Sequence, residues 1–127
     1  MTPRFRAWNK TWEELGEVRR IRFDDEGDVC TVLFRGKILG TDTPIDKIEL
    51  MQSTGLKDKN GKEIFEGDIV KMAKDVYSEP AYYEVVRHRG GAYRLESKQH
   101  GCELWLRHTD CEVVGNIYAN PELLEEK

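Results

Sequence analysis

Short runs of alternating apolar and polar residues, punctuated by Gly, Asn and Asp, make up most of this chain. In Arg4-Phe5-Arg6-Ala7-Trp8, Phe5 and Ala7 fall on one side, which predicts a short strand. Asn9-Lys10-Thr11 reads as a turn. Residues 12–18 fit a helical turn or a strand, and Gly16 weighs against the helix. Residues 21–23 and 29–34 are strand candidates around the acidic loop Asp24-Asp25-Glu26-Gly27-Asp28, a hairpin. Residues 36–44 read as a loop, and 45–51 stay open between strand and helix. Further on, residues 81–87 and 92–96 predict two strands joined at Gly90-Gly91, and residues 103–107 and 111–118 predict the last two. Asn120-Pro121-Glu122 opens a short helix: Asn caps, Pro suits the first helical position, and Glu suits the positive end of the helix dipole. Leu123 and Leu124 are expected to pack back on the strands.

The most informative stretch is residues 50–71, LMQSTGLKDKNGKEIFEGDIVK. Asn60-Gly61 between short apolar runs is a strong hairpin signal and predicts a type I′ turn, with both residues at positive φ. Glu66-Gly67-Asp68 predicts a second turn, with Asp68 bonding backbone N–H groups, before the apolar pair Ile69-Val70. Two tight turns this close describe a β-meander. The expected fold is therefore mainly β. A basic arm and small β-subdomain (residues 1–50) precede an SH3-like β-barrel with a short C-terminal helix (residues 51–127), as two parts or one continuous domain.

At 127 residues and 39% hydrophobic composition the chain can bury a modest core. Charged residues are 35% of the chain and the mean hydropathy is -0.67. No apolar run approaches the roughly 18 residues of a membrane span, and residues 1–10 lack a hydrophobic leader, so the expected location is the cytoplasm with no membrane partner. Cys30, Cys102 and Cys111 form no C-x-x-C and read as reduced, partly buried residues. The net charge of -4 is uneven: residues 1–23 carry +3 and residues 24–70 carry -5. That balance argues against a dedicated nucleic-acid binder, which normally carries a strongly basic face.

Three blocks resemble one family. RFRAW at 4–8, LMQSTGLKDKNGKEIFEGDIV at 50–70 and VVGNIYANPELLE at 113–125 are similar to the YopX proteins of phages and prophages. The resemblance implies a mainly β-stranded protein, expressed in a bacterial host cytoplasm, with no established activity. It supplies no catalytic residues to carry over.

Candidate chemistry is thin. His100, Cys102, His108 and Cys111 are four possible zinc ligands within twelve residues. If ELWLR is a strand, Cys102 and His108 lie roughly 20 Å apart, so no metal and no cofactor are expected. The loop 24–28 lacks the spacing of a calcium loop. Glu66 and Asp68 flank a glycine, where turn-making outweighs catalysis as a role. No nucleophile, acid–base or phosphate-loop motif is present, so the chain is not expected to be an enzyme. Phe5, Trp8 and Trp12 stand among Arg4, Arg6 and Lys10 on a segment too short to bury three large aromatics alone. They are the candidate interface, for a second copy or for a phage or host protein. The expected function is thus a non-catalytic, self-associating, protein-binding accessory module. Nucleic-acid binding in phage replication or gene regulation is the alternative. Asn60, Gly61, Gly67 and Asp68 are assigned as structural turn residues.

Overall fold

The computed structural model describes residues 4–35, 41–73, 77–88, 91–98 and 101–125. The chain is mainly β, with antiparallel pairing throughout the described strands. It divides into two compact units, Met1–Gln52 and Ser53–Lys127.

In the first unit, β1 (Phe5–Asn9), β2 (Glu14–Phe23), β3 (Val29–Arg35), β4 (Thr41–Pro44) and the first half of β5 (Ile48–Lys57) pair in the order β4-β3-β2-β1-β5. Of the two readings of residues 12–18 the strand holds from Glu14, and it runs on without a break to Phe23. Gly16 sits buried opposite Ala7 in that strand. Asn9 makes the β1–β2 turn as read: its Oδ1 accepts the N–H groups of Thr11 and Trp12, each at 2.9 Å. Residues 45–51 resolve into a 3-10 turn, Ile45–Lys47, and the start of β5. Ala7, Val32 and Ile48 centre the core, with Val18, Ile21 and Leu50 against them.

In the second unit, the second half of β5 pairs with β6 (Glu63–Phe65). β7 (Asp68–Ala73), β8 (Pro80–Arg87), β9 (Tyr93–Glu96), β10 (Gly101–Glu103) and β11 (Glu112–Asn116) form a sheet in the order β10-β9-β8-β7-β11. Its core holds Val70, Met72, Tyr83, Val85, Leu95, Leu104 and Cys111. The expected barrel does not close, because β10 and β11 end the sheet without pairing to each other. A loop takes the place of a closing strand along β11. The Lys59 N–H donates to the Cys111 carbonyl at 2.9 Å, and the Asp58 carboxylate accepts the Val113 N–H at 2.9 Å. Backbone groups that an edge would leave bare are thereby satisfied.

Three expectations need correction. The turn at Asn60-Gly61 is not type I′: Gly61 has φ 81 but Asn60 keeps a negative φ. The Gly61 N–H bonds the Asp58 carbonyl at 3.0 Å, and the Asp58 N–H bonds the Lys62 carbonyl at 2.8 Å. This is a type I turn followed by a left-handed glycine, the usual three-residue hairpin loop. Asp58 imposes it by accepting the N–H groups of Asn60 and Lys62 on Oδ1. The loop 24–28 repeats the design, with Asp24 accepting from Glu26 and Asp28 and Gly27 at φ 89. Second, residues 103–107 are not a strand. Glu103 ends β10, and Leu104–Arg107 form one turn of helix, α1. Third, the C-terminal helix is a 3-10 turn, Pro121–Leu124, which packs on β8. Asn120 does not cap it. Its Oδ1 instead accepts the Asn116 N–H at 3.3 Å.

Candidate interaction surface

The three aromatics of the N-terminal segment do not form one exposed patch. Trp8 is buried at 9% exposure, between Leu15 on β2 and Glu49 on β5. Phe5 is half-buried, and only Trp12, in the β1–β2 turn, is exposed at 53%. A sheet of five strands gives the segment the cover that it lacks alone, which explains the difference from the sequence reading. The neighbouring cations have local partners: Lys10 lies 3.1 Å from Glu49, and an Arg6 guanidinium N–H lies 3.5 Å from Met51 Sδ.

A more exposed apolar surface lies in the second unit, on Leu104–Arg107, where a strand would have turned Leu106 inward beside Leu104. Helical geometry sends Leu104 into the core and leaves Trp105 and Leu106 at 65% and 59% exposure. The turn that carries them is pinned on both sides. The Arg107 guanidinium bonds the Ala73 carbonyl at 3.1 Å and Asp110 at 2.9 Å. His108 Nδ1 lies 2.7 Å from the Lys57 carbonyl. A carbonyl only accepts, so that nitrogen carries the proton. The Cys111 thiol donates to the Arg107 carbonyl at 3.3 Å. Arg107 also ties the turn to the end of β7, just before the β7–β8 connection, where Tyr77 is fully exposed.

The helical turn also removes the distance argument made against zinc, since residues 103–107 are not extended. The geometry offers a different account of the same residues. Cys102 and Cys111 line the core cluster, and His108 is engaged with Lys57. Burial is the largest influence on both thiols and raises both, Cys111 to about 12. A thiol that keeps its proton is a weak ligand and a weak nucleophile. Among the described residues no three His, Cys, Asp or Glu side chains converge on a point that could hold a metal. His100 lies outside the described residues.

The carboxylates of the central block hold backbone. Asp68 is buried and its Oδ2 accepts the Phe65 N–H at 2.8 Å, closing the turn at Gly67, which has φ 87. Glu66 instead faces Arg87 at 4.0 Å. Asp58, a residue of the central motif whose place there suggests side-chain-to-backbone bonding, makes three backbone N–H bonds at 2.8–2.9 Å, two within the hairpin and one to Val113 on β11. Burial opposes its ionisation, but those bonds and Lys62 outweigh burial and hold its carboxyl below the usual range. The local signal for its turn role is Asp at the first position of a turn and Gly at the fourth, present at 24–27 and again at 58–61, whereas nothing local marks the bond to Val113.

The YopX protein family model matches residues 4–125. No curated protein matches the chain. Among solved structures, protein EF1440 from Enterococcus faecalis is similar at 32% identity and a TM-score of 0.72, with 98% of this chain and 99% of that one covered. Protein yopX from Bacillus subtilis is similar at 23% identity and a TM-score of 0.64, covering 100% and 99% of the two chains. The second likeness is one of fold.

Proposed function

We propose that this chain, which belongs to the YopX family, is a phage- or prophage-encoded accessory protein that binds other proteins, copies of itself included, and catalyses no reaction. The observation that most supports this reading is the outward pair Trp105-Leu106 on a turn that four side-chain contacts immobilise. Large apolar side chains near the centre of an interface supply most of its binding energy, and a rigid support lowers the entropic cost of ordering them. A lone surface leucine would need no explanation. A neighbouring Trp and Leu, held rigid and exposed, form the kind of anchor that partners cover. Asp58 and Asp68, engaged with backbone amides, have no catalytic role in this reading. For self-association, Trp12 and the half-buried Phe5 remain the contact surface, with Trp8 as support within the sheet. The site of action is the host cytoplasm.

The test is a set of variants that leave the core intact. Trp105→Ala with Leu106→Ala should abolish capture of a partner from phage-producing cells while circular dichroism stays unchanged. Trp12→Ala should lower the mass seen by light scattering. Unchanged capture and unchanged mass in all variants would sink the reading. A second reading, nucleic-acid binding, draws on three exposed arginines of β2: Arg19, Arg20 and Arg22. A salt-sensitive gel shift would favour it.

A further inference from the structure

We propose that Asn60 is a site of self-modification: its side-chain amide condenses with the Gly61 nitrogen, loses ammonia and ends as aspartate or isoaspartate, and the folded 58–62 hairpin is the gate that holds this reaction back. The reaction is independent of Trp105 and of any binding partner. Asparagine is among the chemically labile side chains, and the group that attacks it is the backbone nitrogen of the next residue. The four asparagines of the chain are followed by Lys10, Gly61, Ile117 and Pro121. A proline nitrogen has no proton to lose, and the side chains of Lys10 and Ile117 crowd the attack. Gly61 alone brings a nitrogen with no side chain beside it. Asn60 and Gly61 are both exposed, and no atom lies within 4 Å of where a Gly61 Cβ would stand, so water and solvent base reach this corner.

The Gly61 nitrogen gives its proton to solvent base and bonds Asn60 Cγ. The Cγ–Nδ2 bond breaks, and Nδ2 takes a proton from solvent and leaves as ammonia. Water then opens the five-membered imide, at Cγ to give aspartate or at the main-chain carbonyl carbon to give isoaspartate. No oxidant and no cofactor enter. The fold keeps the reacting atoms apart in two ways. The Gly61 N–H donates to the Asp58 carbonyl at 3.0 Å, so the proton that must leave is engaged. Asn60 is the third residue of a type I turn, where ψ is about 0° and the Gly61 nitrogen eclipses the Asn60 nitrogen. Substituents on a tetrahedral carbon lie about 120° apart in projection, so the attacking nitrogen is turned away from the Cβ that carries Cγ. Ring closure needs it nearly in line with Cβ. The main chain must therefore rotate at Asn60, which breaks the Gly61 bond and strains those from the Asn60 and Lys62 N–H groups to Asp58 Oδ1 at 2.9 and 2.8 Å. The isoaspartyl product adds a carbon to the main chain inside this short loop, so the 58–62 pairing cannot close as before. Asp58 and Lys59 also hold β11 through Val113 and Cys111, so the damage spreads to that edge. Each conversion thus records time that the hairpin has spent open.

The full chain is held in mildly alkaline buffer, folded and in urea, and each asparagine is followed by peptide mass spectrometry, with isoaspartate counted by enzymatic methyl transfer. In urea, Asn60 should convert ahead of Asn9, Asn116 and Asn120. In the folded protein its rate should follow the open fraction of the hairpin and fall about tenfold or more. Asp58→Ala should raise the folded-state rate about tenfold, by removing the acceptor of two loop amides. Val32→Ala, in the core of the first unit, should leave that rate near its original value. Circular dichroism and urea midpoints report whether each variant is folded. If Asp58→Ala is not, Asp58→Asn, which keeps one acceptor oxygen, gives the same comparison with a smaller gain. No preferential conversion of Asn60 in urea would overturn the proposal, as would equal rates in the folded and unfolded chain. Equal acceleration by Val32→Ala would also overturn it, because the reaction would then run through global unfolding and not through the hairpin.

Discussion

Removing the Asp58 carboxylate should cost a large share of the protein's stability. In Asp58→Ala three backbone donors lose their acceptor at once: the N–H groups of Asn60, Lys62 and Val113, now bonded at 2.9, 2.8 and 2.9 Å. Hydrogen bonds to a charged acceptor contribute roughly 1.5–3 kcal/mol each. Asn60 and Lys62 are exposed, so water replaces much of what they lose. Val113 is half-buried at the sheet edge, and its bare N–H costs about 1–3 kcal/mol. Allowing about 0.5–1 kcal/mol for each exposed donor, the total is about 2–5 kcal/mol. Against a typical stability of about 5–15 kcal/mol, that is a large fraction. Asp58→Asn should lose less, because one oxygen still serves the turn while its amide group meets the Val113 N–H donor to donor. Urea unfolding measures both as a drop in midpoint at constant slope. The pH dependence adds a check. The folded carboxyl titrates below its unfolded value of about 3.9, so its stabilisation is present above that pH and is lost as pH falls through the lower folded value. Asp58→Asn should remove this part of the acid limb. A loss under about 1 kcal/mol for Asp58→Ala would refute the account of β11 as an edge closed by a carboxylate.

The hairpin assignment predicts an asymmetry: Gly61→Val, at φ 81 with open space around its Cβ, should cost about 1–3 kcal/mol in backbone strain, whereas Asn60→Ala at negative φ should cost under about 0.5 kcal/mol by thermal melts. Exposed Cys30 should react with a thiol reagent in the native protein, while buried Cys111 reacts only on unfolding. Because its thiol is pushed up to about 12, Cys111 favours the folded state below the unfolded thiol value of about 8.5, and this contribution declines as pH rises from there; alkaline unfolding of Cys111→Ala should show a shallower decline. Gly115→Ala drives a Cβ into the Asn120 side chain, whose Oδ1 is the acceptor for the Asn116 N–H, and should loosen the C-terminal turn, seen as faster exchange of that amide.

The strands were legible where alternation is clean and a turn residue closes the run, as at β1, β3, β7, β8 and β9. Two local errors have physical causes. Asn60-Gly61 favours type I′ as a dipeptide, but a carboxylate two residues earlier captures the amides of Asn60 and Lys62 and sets φ at Asn60. Four residues at 104–107 are too few to reveal a helical period, so Leu104 and Leu106 look like alternation, although only Leu104 is buried. What that error hid is the exposure of Leu106 beside Trp105. Contacts such as Asp58 to Val113, 55 residues apart, leave no mark in a local pattern. The N-terminal aromatics were a plausible patch in isolation, and the sheet absorbed Trp8.

The block that makes this chain recognisable is also the block whose polar side chains are most engaged with backbone. Thr54 Oγ1 donates to the Ile64 carbonyl at 2.7 Å, Ser53 Oγ accepts the Gly55 N–H at 3.1 Å, Asp58 holds the hairpin and β11, and Asp68 holds the next turn. Such residues fix where strands lie and leave few free groups to meet a ligand. The large exposed apolar pair Trp105-Leu106 stands outside it. A resemblance carried by the central block therefore speaks strongly about fold and weakly about activity. If the proposed binding holds, exchanging the 50–70 segments of two relatives should alter stability by urea unfolding and leave capture through the α1 turn unchanged.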